Sequence, residues 1–309
     1  MTSINPKKLT IEKIQEALRQ QQYICDRPLA TVVYLSTAIG KPLMLEGEAG
    51  VGKTEVAKVL AQVLGTRLIR LQCYEGLDAN TALYEWNYPK QMLRIKLEEI
   101  GRGDQKVVGA EIFAEEYLIK RPLLEAIQSN GPVPPVLLID EIDRADMEFE
   151  AFLLEVLSDF QITIPEIGTL RAERRPYVFL TSNRTREIHD ALKRRCLYHW
   201  IDYPSFEKEY EIVTTKLPGI QPLLAQQICA FMQQVRGMNF YKRPGIAETL
   251  DWASALLALN RQELDDKTLE ETLGCVFKYK EDLQHLHDEI NGKRFEFDSQ
   301  LKNVEGMPG

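Results

Sequence analysis

The sequence predicts an α/β domain with a five-stranded, mainly parallel sheet flanked by helices, followed by a smaller all-helical domain. Three features predict this fold class. Short apolar runs alternate with helix-patterned segments as far as Pro204, a glycine-rich loop joins the first run to a helix, and beyond Pro204 the helix-patterned segments follow one another directly. We therefore expect the first domain over 1–206, the helical domain over 207–290 and an unstructured tail over 291–309.

Five short runs are the candidate strands of the sheet. They are Leu43–Leu45, Leu68–Leu71, Val136–Ile139, Tyr177–Leu180 and Tyr198–Ile201. The third run is apolar at every position, which is typical of a strand that helices cover on both faces. Such strands belong to the interior of a parallel sheet.

Helical spacing predicts the elements between and after these strands. Behind the glycine-rich loop, Val56, Leu60 and Val63 recur on one helical face, and Gly65 suits the end of that helix. The second domain has helix-patterned segments near 206–216, 222–236, 246–259 and 266–289.

Composition limits the classes of function. The chain has 309 residues and a net charge of −8, which argues against a nucleic-acid partner because phosphate binding needs a clustered basic face. No apolar run approaches the length of a membrane span, and the first residues lack the apolar core of a leader peptide. Five scattered cysteines favour reduced thiols over disulfides or a zinc site. We expect a cytoplasmic protein.

The loop Gly47–Thr54 carries the clearest chemistry, because it reads GEAGVGKT and matches G-x-x-x-x-G-K-[ST]. Glycines let successive backbone N–H groups turn inward around phosphate oxygens, Lys53 adds a positive charge, and Thr54 offers a hydroxyl to Mg²⁺. A purely structural glycine turn is the alternative, and the flanking strand and helix favour phosphate binding. The predicted binding residues are Gly47, Glu48, Ala49, Gly50, Val51, Gly52, Lys53 and Thr54.

An acidic pair follows the third strand and completes the expected metal site. Asp140 is predicted to hold Mg²⁺ together with Thr54, and Glu141 to orient and deprotonate an attacking water. Two carboxylates at a helix start are the alternative interpretation. A kinase would have less use for Glu141, so the pair favours hydrolysis.

Two further groups stand where a γ-phosphate would be sensed. Asn183 closes the fourth strand and is expected to position the lytic water, although a simple turn residue would fit the same place. Arg194 and Arg195 precede the fifth strand. Arginine supplied across an interface stabilises charge on a transferring phosphoryl group, and a solvated basic turn is the alternative.

These motifs resemble those of a known family. The Gly47–Thr54 loop, DEIDRA at Asp140–Ala145, TSN at Thr181–Asn183 and LKRRC at Leu192–Cys196 occur in the order seen in AAA+ ATPases. The sequence is most similar to the MoxR family, over about residues 20 to 290. LYEWNYPKQ (Leu83–Gln91), RPLLEAI (Arg121–Ile127) and RRCLYHWIDYP (Arg194–Pro204) resemble its CoxD-type members, associated with carbon monoxide dehydrogenase maturation.

The resemblance implies a P-loop AAA+ domain with a helical lid, assembled as a homo-oligomeric ring, usually a hexamer, with ATP between subunits. Lys53 and Thr54 would be the Walker A pair, Asp140 and Glu141 the Walker B pair, and Asn183 sensor 1. Arg195 would be the arginine finger on the neighbour's ATP, with Arg194 as the adjacent candidate. Arg144 would face the interface or form a surface salt bridge.

One position departs from the family pattern. Many MoxR proteins carry an arginine on the lid, called sensor 2, where Ile246 stands here. Arg243 or Lys242 is then the candidate to reach the phosphates.

The family also has two elements on its pore side. An alternating run at Gln161–Leu170 predicts a hairpin that turns near Glu166–Gly168. The aromatic region Asp78–Lys96 would form the other element, or lie in the core.

The resemblance implies a chaperone-like remodeller that hydrolyses ATP with Mg²⁺ during metalloenzyme or cofactor maturation. Its partners would be a von Willebrand factor A domain protein and a client metalloenzyme such as a molybdenum hydroxylase. The chain has no DxSxS motif, so the first partner is expected on another chain. The alternatives are a nucleic-acid-directed or restriction-type NTPase motor and a nucleotide-gated scaffold with negligible turnover. The choice of ATP over GTP stays open.

Overall fold

A computed structural model describes residues 10–101 and 112–291 of the chain. It divides into two compact units. The first runs up to Gln21, from Cys25 to Gly47 and from Lys53 to Trp200, and the second comprises Gln22–Ile24, Glu48–Gly52 and the chain from Ile201 onward. The sequence analysis placed the change between 206 and 207. The connecting residues join the second unit because Gln233 donates a hydrogen bond to the Pro204 carbonyl and Arg236 lies over the Tyr203 ring.

The first unit contains the sheet and eight helices within the described residues. In chain order its elements are α1 (Ile11–Gln20), α2 (Arg27–Ile39), β1 (Leu43–Gly47), α3 (Lys53–Leu64), β2 (Leu68–Gln72), α4 (Ala79–Leu83), β3 (Tyr84–Trp86), α5 (Tyr88–Gly101), β4 (Leu118–Lys120), α6 (Pro122–Ile127), β5 (Val136–Asp140), α7 (Met147–Asp159), β6 (Gln161–Ile164), β7 (Gly168–Arg171), β8 (Tyr177–Ser182), α8 (Asp190–Arg195) and β9 (Leu197–Ile201).

The five-stranded sheet has the order β2-β5-β8-β1-β9, and this confirms the predicted fold class. Its inner pairs are parallel, with Val136 opposite Leu68 on one side and Tyr177 on the other, and Leu43 opposite Phe179. β1 and β5 are buried at every position, as expected for strands with helices on both faces. Parallel strands end at one edge, so the residues that follow β5 and β8 come together there.

Two small antiparallel sheets accompany the large one. The predicted hairpin forms from β6 and β7, and Gly168 adopts a φ of +100° as its second strand begins. β3 pairs with β4 in the aromatic region, where Tyr84 and Trp86 pack half-buried against the core. Tyr88, on α5, is 66% exposed. The aromatic residues of this region are therefore divided between core and surface.

The second unit is helical. Its helices are α9 (Phe206–Lys216), α10 (Pro222–Gly237), α11 (Ile246–Ala258), α12 (Asp266–Val276) and α13 (Lys280–Asn291). The segment predicted at 266–289 is thus two helices. The break lies at Phe277, which takes an extended conformation and buries its ring 5.0 Å from the ring of Phe240. The tail predicted to be unstructured lies, after Asn291, outside the described residues.

A buried ion pair organises the helical unit. The Arg236 guanidinium donates to both Glu209 carboxylate oxygens at 2.6 and 2.7 Å, and its Nε donates to the Pro244 carbonyl at 2.8 Å. Thr249 and Gln233 also donate to Glu209. Because every oxygen of this buried carboxylate has partners, the pair ties α9, α10 and the start of α11 together.

The five cysteines are all free thiols, and three of them, Cys25, Cys73 and Cys229, are buried. This agrees with the expectation of reduced thiols. None of the helices in the described ranges combines the length and the apolar character that crossing a lipid bilayer requires.

Candidate nucleotide-binding site

The glycine-rich loop connects β1 to α3. Gly50 and Gly52 have φ angles of +78° and +94°, in the left-handed region where only glycine is free of strain. The buried Lys53 begins α3, and its Nζ donates to the Gly47 carbonyl at 2.8 Å. A cationic side chain therefore stands at the positive end of a twelve-residue helix, where an anion is favoured.

Within the second unit, the start of α11 packs closely on this loop. The Ala247 N–H donates to the Gly50 carbonyl at 3.2 Å. Gly245 has no room for a side chain, since a Cβ there would lie 2.7 Å from the Ala49 carbonyl oxygen. The Gly245 N–H donates in turn to Glu248 at 2.9 Å. The loop backbone is thus held by backbone contacts of α11.

The resemblance to MoxR proteins predicted that the sensor 2 position falls at Ile246. Ile246 is the first residue of α11 and is buried. Arg243 is exposed and belongs to the same unit as loop residues Glu48–Gly52, and its carbonyl accepts a hydrogen bond from the Tyr203 hydroxyl. Arg243 stays a predicted nucleotide-binding residue.

Asp140 lies at the carboxyl end of β5 and is almost completely buried. Its Oδ1 accepts hydrogen bonds from the Thr54 hydroxyl at 2.9 Å and from the Thr181 hydroxyl at 2.5 Å. Its Oδ2 accepts from Arg70 Nε at 3.0 Å and Nη2 at 2.5 Å. The structure therefore brings the two predicted metal ligands together and adds a threonine and an arginine that the sequence analysis did not select.

Glu141 follows directly in a left-handed conformation, with φ of +56°. Its N–H donates to Thr181 at 2.9 Å, and its carboxylate meets Arg144 Nε at 2.9 Å and Gln72 Nε2 at 3.2 Å. Asn183 Nδ2 approaches the other carboxylate oxygen at 3.5 Å. Glu141 and Asn183 are thus neighbours, as a water-activating pair requires, and Arg144 forms a salt bridge within its own chain. A non-glycine residue in this conformation stores strain of about 1–3 kcal/mol, a cost often found at functional sites.

Asp143 lies two residues after Glu141 and contacts the loop that follows β8. It is buried and accepts hydrogen bonds from the Asn183 N–H, the Thr185 N–H and the Thr185 hydroxyl, at 3.2, 2.9 and 2.7 Å. Asp146 is the residue that caps a helix, because it accepts from the Phe149 N–H at the start of α7. Asp143 therefore holds the loop that carries Asn183.

The two finger candidates end α8, and both are exposed. Arg195 is tied to its own chain, because its Nε donates to the Ser158 hydroxyl at 2.8 Å. Arg194 makes no hydrogen bond or ion pair with any residue that the structure describes. The structure brings neither side chain to Asp140 or Glu141.

Burial and charge shift two titratable groups beside the site. Burial, reinforced by the negative charge of Asp140, raises the pKa of the Cys73 thiol to about 12. Burial and a hydrogen bond to Glu46 raise the pKa of the Tyr198 hydroxyl, which donates to the Glu46 carboxylate at 3.0 Å. Both groups therefore stay protonated and uncharged at neutral pH.

The side chains of this site fit Mg²⁺ and a nucleoside triphosphate. Mg²⁺ prefers oxygen ligands and keeps several waters, so a hydroxyl and one carboxylate suffice beside phosphate oxygens. Thr54 and Asp140 supply such a pair, and Lys53 with the loop backbone supplies donors for phosphate. The described part of the chain contains no cluster of three or more His, Cys, Asp or Glu side chains placed to hold a metal ion.

Three of the residues in this network escaped the sequence analysis as site residues. Thr181 precedes Asn183 by two positions and lies near the carboxyl end of β8, a signal that could have found it. Arg70 is a charged residue between the buried Ile69 and Leu71. This alternation predicts that its side chain points away from the core, but it does not predict the contact with Asp140. The contact of Gln72 with Glu141 likewise becomes evident only when β2 is placed beside β5.

Half of the chain matches a known family model. Residues 42–196 match the family model of the AAA domain (dynein-related subfamily). An uncharacterized protein of Staphylococcus haemolyticus is 26% identical over 229 residues, covering 72% of this chain and 78% of that protein. An uncharacterized protein of Staphylococcus aureus is 27% identical over 230 residues, with coverage of 72% and 77%.

Among solved structures, the RuvB Holliday junction branch migration motor of Thermotoga maritima is similar at 16% identity and a TM-score of 0.47. The match covers 95% of this chain and 82% of that chain. A likeness this distant carries no functional property to the present chain.

Proposed function

Because the chain belongs to the AAA domain family (dynein-related subfamily), we propose that it binds ATP with Mg²⁺ at Gly47–Thr54 and hydrolyses it to ADP and phosphate. The observation that carries the proposal is the network at the carboxyl edge of the sheet. There Thr54 contacts Asp140, and Glu141 lies beside Asn183.

Each side chain has one task in this reaction. Lys53 and the loop N–H groups bind the phosphates, and Thr54 with Asp140 would hold Mg²⁺, which supplies charge neutralisation when bound. Glu141 takes a proton from the attacking water, and Asn183 orients that water. Thr181 and Asp143 keep Glu141 and Asn183 in place through the contacts described above.

Three variants test hydrolysis. We expect Lys53→Ala to lose nucleotide binding, and Glu141→Gln to bind ATP as the wild type does while releasing phosphate at least about a hundredfold more slowly. Glu155→Gln, an exposed position on α7, is the matched control and should hydrolyse normally. Equilibrium binding and phosphate release measure the two properties separately. Wild-type phosphate release by Glu141→Gln would refute the proposed role, and a negligible rate in the wild type would favour a scaffold.

In the finer proposal, the chain is a MoxR-type remodeller, similar to CoxD-type members, that works in the cytoplasm as a hexameric ring. It acts with a von Willebrand factor A domain protein on a client such as a molybdenum hydroxylase. The net charge of −8 and the exposed apolar side chains of α5, Tyr88, Met92 and Leu93, favour a polypeptide over nucleic acid as ligand.

The remodeller is tested by capture from native cells. Glu141→Gln with ATP should retain a von Willebrand factor A domain protein and a metalloenzyme subunit, whereas Lys53→Ala should retain neither. Hydrolysis that DNA or RNA stimulates, without such partners, would instead support the nucleic-acid-directed motor.

The ring predicts an arginine supplied by the next subunit. Arg195 is engaged with Ser158, so Arg194 is the freer of the two to reach a neighbour. We expect Arg194→Ala to abolish turnover while ATP binding persists. Mixing Arg194→Ala with Lys53→Ala should restore part of the activity, because one chain then binds ATP and the other donates the arginine. Undiminished turnover by a monomeric Arg194→Ala, Arg195→Ala double variant would contradict the shared site.

A further inference from the structure

Arg70 projects from β2 toward the carboxyl edge of the sheet. It alternates with the buried Ile69 and Leu71, so its side chain leaves the apolar core and is half exposed. β2 pairs with β5 in parallel, with Gln72 opposite Asp140. The long side chain of Arg70 therefore carries its guanidinium group to the end of β5. There both its Nε and Nη2 atoms donate to Asp140 Oδ2.

These contacts fill the hydrogen-bonding capacity of Asp140. An ionised carboxylate has about four acceptor positions. Thr54 and Thr181 occupy two positions on Oδ1, and Arg70 occupies two on Oδ2. A cation or its bound water can gain a position on Oδ2 only by displacing Arg70.

The same guanidinium is connected to the second carboxylate. Arg70 Nη2 also donates to Gln72 Oε1 at 2.5 Å, and Gln72 Nε2 donates to Glu141 at 3.2 Å. One positive charge therefore stands beside Asp140 and is linked through an amide to Glu141.

We propose that Arg70 is a built-in counter-ion of Asp140 that competes with Mg²⁺ and sets the magnesium concentration at which the nucleotide site loads. The inference rests on the proposed nucleotide binding. Without metal it neutralises a buried carboxylate, which would otherwise be costly to bury unpaired. When the metal arrives, the half-exposed guanidinium moves into solvent at little cost in hydration.

The size of the effect follows from the charge. Because the displaced guanidinium lies in solvent, the dielectric constant of water applies, and a unit charge about 4 Å from a divalent cation in physiological salt then changes the affinity by about three- to thirtyfold. Removing the charge of Arg70 should therefore tighten Mg²⁺ binding. A residue that merely held Asp140 in shape would have the opposite effect, because its loss would weaken the metal site.

The experiment measures binding of a fluorescent ATP analogue against free Mg²⁺ in EDTA-buffered solution, without hydrolysis. We expect Arg70→Gln to lower the half-saturating Mg²⁺ concentration about three- to thirtyfold, and Arg70→Lys to stay near the wild type. Arg67→Gln is the matched control, because Arg67 immediately precedes β2 and pairs with Glu125 in an exposed salt bridge. An unchanged or raised midpoint in a folded Arg70→Gln variant would overturn the inference.

A measurement on the wild type avoids dependence on folding of the variant. Arginines are modified with phenylglyoxal and located by mass spectrometry, with the ATP analogue present in either EDTA or Mg²⁺. Modification of Arg70 should rise with Mg²⁺ while that of Arg67 stays constant, and equal modification of Arg70 in both states would count against displacement. If the protein binds no nucleotide in either state, the proposed function fails; if it binds and Arg70 does not respond, only this inference fails.

Discussion

The substitution Thr181→Val removes one hydroxyl that joins both acidic residues of the site. Thr181 is fully buried in β8, donates to Asp140 at 2.5 Å and accepts from the Glu141 N–H at 2.9 Å. Losing a hydrogen bond to a carboxylate costs about 1.5–3 kcal/mol, and leaving a buried N–H without an acceptor costs about 1–3 kcal/mol. We expect Thr181→Val to lower the free energy of unfolding by about 3–5 kcal/mol, whereas Thr181→Ser, which keeps both bonds, should lose about 1 kcal/mol.

Thermal and urea unfolding of the two variants measure this difference. For a unit of this size each kcal/mol corresponds to about 2–4 °C, so Thr181→Val should melt about 6–20 °C below the wild type. The serine variant keeps the hydroxyl and loses the methyl group, so it controls for altered packing at this position. If the two variants differed by less than about 1 kcal/mol, the hydroxyl would not be the connection between Asp140 and Glu141 that the structure indicates.

Two more predictions concern the loop and the buried thiol. Gly245→Ala would place its Cβ 2.7 Å from the Ala49 carbonyl oxygen, so we expect the loop to move, ATP affinity to fall at least about tenfold and the free energy of unfolding to drop by about 1–3 kcal/mol. Gly274→Ala, with open space around it, is the control. Equal ATP affinities of the two variants would speak against the contact. Because burial raises the pKa of Cys73 to about 12, the thiol should resist Ellman's reagent at pH 8 in the native state, as read by mass spectrometry of the labelled peptide. Rapid labelling of native Cys73 would contradict the raised pKa. The contribution of Cys73 to the free energy of unfolding is complete below the unfolded-state pKa of about 8.5. It is lost as the pH rises toward the folded-state pKa of about 12.

The elements that the sequence predicted well are those whose signal is local. The uniform apolar character of Val136–Ile139 identified a central strand, and the hairpin at Gln161–Arg171 followed from alternation and a glycine turn. The glycine spacing in Gly47–Thr54 identified the phosphate-binding loop. Where local signals compete, prediction was coarser. The helix expected over 266–289 is interrupted at Phe277, because burying that ring against Phe240 outweighs continuous helical spacing.

The sequence predicted several residues of the candidate site but not all of the contacts between them. Thr54, Asp140, Glu141 and Asn183 were selected from motifs, and the structure places them together. Asp143 was not selected as a site residue, although it anchors the loop that carries Asn183. Whether a carboxylate caps a helix or reaches another strand depends on what lies beside it, and the chain order does not contain that information.

By itself, the sequence determined which segments form strands and helices, where the phosphate-binding loop lies and which carboxylates follow a buried strand. These follow from periodicity and from the conformational freedom of glycine, which act over a few residues. Only the tertiary structure decided that Arg70 and Thr181 meet at Asp140, across 70 and 41 positions of the chain. The physical reason is that a hydrogen bond depends on positions within about 3 Å, and strand order and register set those positions only when the sheet is assembled.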